Sequence, residues 1–363
     1  MSRCAAKNKV FFFEEPVWDS EDPALKLISR QNGLCLAVPH LPRWLTSLET
    51  QAIQRQMLEE LVAAHCSDYV LWYYSPLGVR FSESLKPKAI VYDCMDELSA
   101  FKGASPDLKK AEAVLFGLAD VVFTGGPSLY ASKRKSHPNV HLFPSSIDKS
   151  HFSQARGPIA EPEDQARIPG PKLGYCGVID ERMDMQLLAA IADSRPAWQI
   201  LMIGPVVKIS ERDLPRRKNI HYLGARDYKE LPAYMSGWQV GLLPFAINDS
   251  TKFISPTKTP EYLAAGLRTV STAVPDVVTT YGEAGLVAVA ATPTAFVEHI
   301  EAVLGAGPEQ QWLEQVDALL AQNSWDLTWA RMRALIIAAI EKREELPHVK
   351  SAWAPASVAI TAE

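Results

Sequence analysis

The sequence predicts an α/β protein of two doubly wound domains, and three observations predict it. Short apolar runs alternate with helical stretches along nearly the whole chain, the pattern of parallel sheets with helices on both faces. A stretch rich in proline and glycine interrupts that alternation at residues 154–171, after which it restarts. With 363 residues, 47% of them hydrophobic, the chain exceeds what one core supports and can fill two.

In the first half, strands are expected at VFFFEE (10–15), LCLAVPHL (34–41), YVLWYYS (69–75), AIVYDCMDE (89–97), VVFTG (121–125) and VHLFPS (140–145). Helices are expected at about 49–65, 106–119 and 127–135. Residues 154–172, QARGPIAEPEDQARIPGPK, hold four prolines and two glycines, so they read as a linker with no core element of their own. The second half offers strands at 172–179, 198–206, 220–224, 239–245, 268–272 and 286–291, with helices at 184–192 and 294–305. Trp325, Trp329, Met332, Leu335 and Ile336 recur at helical spacing and predict a closing helix with the tryptophans as packing anchors. The domains implied are 1–153, a linker 154–171, 172–322, a helix 323–346 and a flexible tail 347–363. Two such sheets place the carboxyl ends of their strands across a cleft, where ligands are to be sought.

The net charge of −5 gives no attraction to nucleic acid. The run Lys133-Arg134-Lys135 reads as a solvated helix end, with a lipid-surface patch as the alternative. Five cysteines without CxxC spacing fit reduced, packed thiols. No apolar run approaches a bilayer span, and MSRCAAKNKV lacks the apolar core of a secretory signal. A cytoplasmic protein is expected, with peripheral attachment at the inner membrane face left open.

Several chemistries drop out. No GxGxxG follows a strand and no GxxxxGK[ST] loop is present, which disfavours dehydrogenases and P-loop enzymes. Pro138 breaks the helical face that His137 and His141 need to share a metal, and no GxSxG nucleophile elbow exists. What remains lies in the second half. GYCGVIDERMD (174–184) is a strand, a glycine turn and Arg182 ahead of a helix, where an anion can meet backbone amides and a guanidinium. The plainer alternative pairs Arg182 with Glu181 or Asp184 on the surface. ISPTKTPEYLAAG (254–266) has two candidate helix starts, Ser255-Pro256 and Thr259-Pro260. The first puts Lys258 and Glu261 on one face; the second leaves Glu261 in the first turn, where the helix dipole favours it.

These residues, with ILMIGPV (200–206), NIHYLGARDYKELPAYMSGWQVGLLPF (219–245), SWDLTWARM (324–332) and, earlier, YDCMDELSAF (92–101) and LADVVFTGGPSLYASK (118–133), resemble the retaining nucleotide-sugar glycosyltransferases of family 4 (glycosyl transferases group 1). The resemblance implies the GT-B fold of two Rossmann-like domains. It also implies sugar transfer from a UDP- or GDP-sugar to a glycan, lipid-linked or small-molecule acceptor, with retention of configuration, no enzymic nucleophile and no metal. It puts Arg182 and Lys258 on the donor diphosphate, completed by amides of Ser255, Thr257 and the turn at Gly177. Glu261 falls on the ribose hydroxyls, and Gly204, Leu223, Gly224, Ala225 and Arg226 fall near the base. Asp96, with Asp93 and Glu97, faces the sugar or acceptor; a loop of caps and turns is the alternative for these three. A nucleotide-sugar epimerase and a non-catalytic nucleotide- or partner-binding protein are the other readings on this fold. Two departures are noted. Phe253 stands eight positions before Glu261, where the family has a glutamate near this spacing, and only nine residues precede Val10, where related domains place a further strand and helix.

Overall fold

The computed structural model describes residues 1–30, 33–307 and 309–345; the tail expected from Pro347 lies outside them. The chain forms two compact units, one of Met1–Tyr92, Ala111–Val122 and the residues from Ala330, the other of Asp93–Lys110 and Phe123–Trp329.

In the first unit, β1 (Val10–Phe13), β2 (Ala24–Ser29) and β3 (Leu34–His40) make a sheet of order β1-β3-β2. β1 and β3 are parallel, but β2 runs antiparallel to β3, which departs from the all-parallel expectation. No strand is expected from the sequence at β2, for a physical reason. ALKLIS packs only Leu25 inward and lies otherwise exposed at a sheet edge, so it lacks the apolar run of a buried strand. The helix Ser47–His65 begins with a capping box in which Thr46 and Glu49 satisfy each other's backbone amides, and its Leu58 and Leu61 pack on Ala37 of β3. A four-stranded sheet of order β4-β5-β6-β7 follows: β4 (Val70–Tyr73), β5 (Ala89–Cys94), β6 (Val121–Thr124) and β7 (Val140–Leu142). The unit division runs through β5 and β6.

The second unit is organised by six parallel strands: β8 (Lys172–Cys176), β9 (Gln199–Ile203), β10 (Ile220–Gly224), β11 (Val240–Leu243), β12 (Thr269–Thr272) and β13 (Val287–Ala290). Their order, β10-β9-β8-β11-β12-β13, is that of a doubly wound sheet. The order reverses between β8 and β11, so a crevice opens beyond their carboxyl ends. β8, β11 and β12 are buried along their whole length; VGLL of β11 reads as an unbroken apolar segment, whereas KLGYC and TVST include polar residues.

Two aromatic rings lie directly over this sheet. Trp238 covers Gly174 and Tyr262 covers Gly241, with the rings edge to face at 6.0 Å. The Trp238 indole N–H donates to Gln165 Oε1 at 2.9 Å, while Gln165 donates to the carbonyl of Tyr234 at 2.8 Å. Gln165 is fully buried, so residues 154–171 do supply a core group. The expectation failed because a buried polar side chain carries no hydrophobic signature; hydrogen bonds satisfy it instead. A Cβ on Gly174 would come within 1.9 Å of the indole ring, which its own hydrogen bond holds in place. Gly174→Ala is therefore expected to lower stability by about 3 kcal/mol. A reduced urea midpoint at unchanged m-value checks this; an unshifted midpoint would contradict the packing argument.

Further departures concern single residues. Lys133 is not solvated: it is buried, with its ammonium 2.7 Å from Glu97. Trp325 is 39% exposed; Ile336 and Ala339 are the buried residues of the helix Trp325–Glu345. A helix at Gln310–Ala321, absent from the expectation, packs Trp312, Val316 and Leu320 inward. The five cysteines are free thiols, and none of the described helices is long and apolar enough to cross a membrane.

Candidate functional site

A cavity of about 480 Å³ occupies the crevice at the switch point, within the second unit. The turns that end β8, β9 and β10 supply Cys176 to Val178, Ile203 to Pro205, and Ala225 with Arg226. Phe245 follows β11, and Ile254 to Lys258 close another wall. Met95, Asp96, Gly125 and Ser145 also line it, with Tyr175, Arg182 and Leu231. Of the residues singled out from sequence, Arg182, Lys258, Asp96, Gly177, Gly204, Arg226, Ser255 and Thr257 line this one cavity, whereas Leu223, Gly224 and Glu261 do not.

The helix carrying Lys258 and Glu261 spans Lys258–Ala264, starting between the two expected positions. Proline chemistry explains the compromise. Pro260 has no amide for the carbonyl of Pro256, and the Thr259 amide bonds that carbonyl instead at 3.1 Å, tightening the entry into one 3₁₀-like turn. Ser255 and Thr259 make no side-chain cap; the Thr257 position precedes the helix in helical conformation. Lys258 and Glu261 share one face, with Nζ 3.0 Å from Oε2, and both side chains are largely buried. Burial pushes the Glu261 carboxyl up, against the pull of Lys258. Burial works to lower the Lys258 ammonium, but Cys176 and Glu261 beside it together outweigh burial and hold the pKa above the ordinary value. Glu261 thus sits behind Lys258, outside the cavity surface.

Arg182 pairs with neither Glu181 nor Asp184. Its Nε and one terminal nitrogen grip the buried carboxylate of Asp180 at 2.7 to 3.0 Å, while Asp184 caps the helix Met185–Ser194 by accepting from the Leu187 amide. That grip fixes the guanidinium plane, and Arg182 Nη1 makes no hydrogen bond among the described residues. The Phe101 ring lies 5.6 Å from the guanidinium carbon. Asp96 is the member of the acidic trio that lines the cavity; burial raises its pKa and Arg182 opposes the shift. Glu97 instead binds Lys133, and Asp93 is buried.

Arg226 reaches the cavity but is held by Asp164 and the Tyr234 hydroxyl, each at 2.6 Å. Leu223 packs into the core, and Gly224 turns the chain at φ +75° while its carbonyl accepts the Gly204 amide. Gly177 and Gly204 have a demanding role. A Cβ on Gly204 would meet the Gly177 carbonyl oxygen at 1.8 Å, so the ends of β8 and β9 approach as only glycines permit. Among the described residues, no group of three or more His, Cys, Asp or Glu has the arrangement of a metal site.

Gly125, Ser145 and Phe245 were not singled out in sequence. Each lies just beyond the carboxyl end of a strand, a positional rule that could have found them. The site as a whole offers an ammonium, a guanidinium nitrogen and loop amides around one opening, with few groups that could act as a nucleophile. This arrangement suits a polyanionic ligand held through its phosphates.

Comparison with known proteins agrees. Residues 170–306 match the family model described as Glycosyl transferases group 1. TuaH of Bacillus subtilis (strain 168), named as a teichuronic acid biosynthesis glycosyltransferase, is 25% identical over 298 residues, covering 74% of this chain and 72% of TuaH. Among solved structures, sucrose-phosphate synthase from Thermosynechococcus elongatus superposes with a TM-score of 0.71 at 18% identity, over 94% of this chain and 91% of that one. HepE of Anabaena, solved in complex with UDP and glucose, gives 0.60 at 14% identity over 88% of both chains. The chain therefore has the GT-B fold of these solved structures, and its residues 170–306 match the glycosyl transferases group 1 model.

Proposed function

We propose that the protein transfers a sugar from a UDP- or GDP-sugar to a glycan, lipid-linked or small-molecule acceptor, with retention of anomeric configuration and without a metal. The observation that carries this reading is the convergence of Lys258, Arg182 and the Ser255 to Thr257 loop on one cavity at the switch point of the sheet. As the bond from the sugar carbon to the diphosphate breaks, negative charge grows on the leaving phosphate. The Lys258 ammonium, the free guanidinium nitrogen of Arg182 and the loop amides are fixed beforehand and stabilise that charge where it develops. The acceptor oxygen bonds to the sugar carbon on the face the diphosphate leaves, and its proton passes to a departing phosphate oxygen. Asp96, on the cavity wall, is assigned to hydroxyl groups of the sugar or acceptor. Two fixed cations supply the charge that a metal ion provides in other phosphate sites, which supports the metal-free reading. The complex of HepE with UDP and glucose supports a nucleotide and a sugar as ligands of this fold.

The test incubates the protein with UDP-, GDP- and ADP-sugars and follows nucleotide release, the configuration of the released or transferred sugar, and thermal shift, with and without EDTA. Release from a UDP- or GDP-sugar with retained configuration, insensitive to EDTA, is expected. Formation of a C2 epimer in place of release would replace transfer by epimerisation, and thermal shift without turnover would leave only nucleotide binding.

A further inference from the structure

A buried carboxylate lies just outside the cavity wall, at Asp276. It sits in the short helix Pro275–Val277, 1% exposed. Its Oδ1 accepts from the Ser128 amide at 2.9 Å and from the Ser128 hydroxyl. Its Oδ2 is buried and has no hydrogen-bond partner among the described residues. An idle carboxylate oxygen in such a place is costly, and an asparagine would hold Ser128 equally well.

The surroundings give the idle oxygen a use. A Cβ on Gly126 would fall 2.1 Å from Asp276 Oδ2 and 2.8 Å from Ser255 Cβ, so all three groups crowd one point. On the other side of the same turn, a Cβ on Gly125 would lie 2.6 Å from the carbonyl oxygen of Met95. Met95, Gly125 and Ser255 all line the cavity. Ser255 Cβ and the unpartnered Asp276 Oδ2 thus lie on either side of the same Gly126 position, near enough for the Ser255 hydroxyl to serve as the missing donor.

We propose that Asp276 is a positioning residue for the transfer reaction: it pins the Gly125-Gly126 turn through Ser128 and takes the Ser255 hydroxyl on its second oxygen, setting the amides of Ser255 and Thr257 against the diphosphate. The inference rests on the proposed function for its catalytic consequence, but not for its structural one. Burial raises the Asp276 pKa against the two bonds from Ser128, consistent with a carboxylate that lacks its full set of donors until Ser255 supplies one.

Asp276→Asn tests this because the amide keeps an acceptor for Ser128 while offering Ser255 a donor instead. In hydrogen exchange on the free protein, the amides of Ser255, Thr257 and Lys258 are expected to exchange about tenfold faster in Asp276→Asn, with β8 unchanged. In turnover, kcat is expected to fall about 10²-fold with KM for the donor little changed. Ser255→Ala should lose a similar factor, and the double variant little more, since each change removes the same donation from the Ser255 hydroxyl to Oδ2. Unchanged exchange at 255 to 258, or losses that multiply in the double variant, would overturn the proposal. If the wild-type protein does not turn over nucleotide sugars, the proposed function fails, while the exchange experiment still decides the role of Asp276.

Discussion

Lys258→Ala is expected to reduce kcat for sugar transfer by about 10² to 10³-fold, the loss that follows removal of one preorganised group facing developing charge. Three features of the residue make the effect large. It lines the cavity, it is the first residue of the helix Lys258–Ala264, and its side chain is only 24% exposed, so its charge is little screened. The same variant strips Glu261 of its partner, and Glu261 is 13% exposed. A buried acid left alone takes up a proton or destabilises its surroundings. Some loss of stability therefore accompanies the loss of rate, and the two have to be separated. Glu261→Gln separates them: it removes the charge behind Lys258 without emptying the cavity wall, and should leave more of the rate than Lys258→Ala does. Steady-state kcat, measured well below each variant's thermal midpoint, is the readout. A Lys258→Ala enzyme within threefold of wild type would remove this residue from the diphosphate.

Much of the fold was legible because β9 and β11 of the second unit are buried on both faces and read as nearly continuous apolar runs, QILMI and VGLL. Elements that bury little were not legible. ALKLIS hides one side chain, and QQWLEQVDALLA buries three residues in a thin stripe among polar ones, below what the periodicity reading registered. The candidate site was legible as a region for another reason. Glycines and charged residues just after strands mark where a doubly wound sheet binds ligands, and Gly177, Arg182 and Lys258 meet that description. Partner choice was not legible. Whether Arg182 grips Asp180, Glu181 or Asp184 depends on loop geometry that the three neighbouring acids do not encode, and Lys133 meets Glu97 across 36 positions of chain. Asp276 escaped notice because Val-Pro-Asp-Val reads as an ordinary helix start; only the burial of its second oxygen sets it apart.

Gly204→Ala should abolish nucleotide binding and also destabilise the second unit, because the substitution meets two obstacles at once. The backbone there has φ +145°, a region that side chains other than glycine's rarely adopt, at a cost of about 1–3 kcal/mol. The new methyl group would also fall 1.8 Å from the carbonyl oxygen of Gly177, a backbone atom with no rotamer to change. That carbonyl cannot withdraw freely, since the Gly177 amide is bonded to Ile203 at 2.8 Å and the Gly204 amide to Gly224 at 2.9 Å. Displacing Gly177 also disturbs Lys258, whose Cε lies 3.3 Å from where a Gly177 Cβ would be. Gly285→Ala is the matching control: φ is +70° and nothing lies within 4 Å of its Cβ position, so it carries conformational strain without the collision. Urea denaturation of both variants, with UDP affinity by calorimetry, isolates the contact. Gly285→Ala should lose about 1–2 kcal/mol and keep its affinity, whereas Gly204→Ala should lose more than that and bind UDP at least about 10²-fold more weakly. Equal behaviour of the two would mean that the close approach of β8 and β9 does not shape the cavity, and that Lys258 is placed by its helix alone.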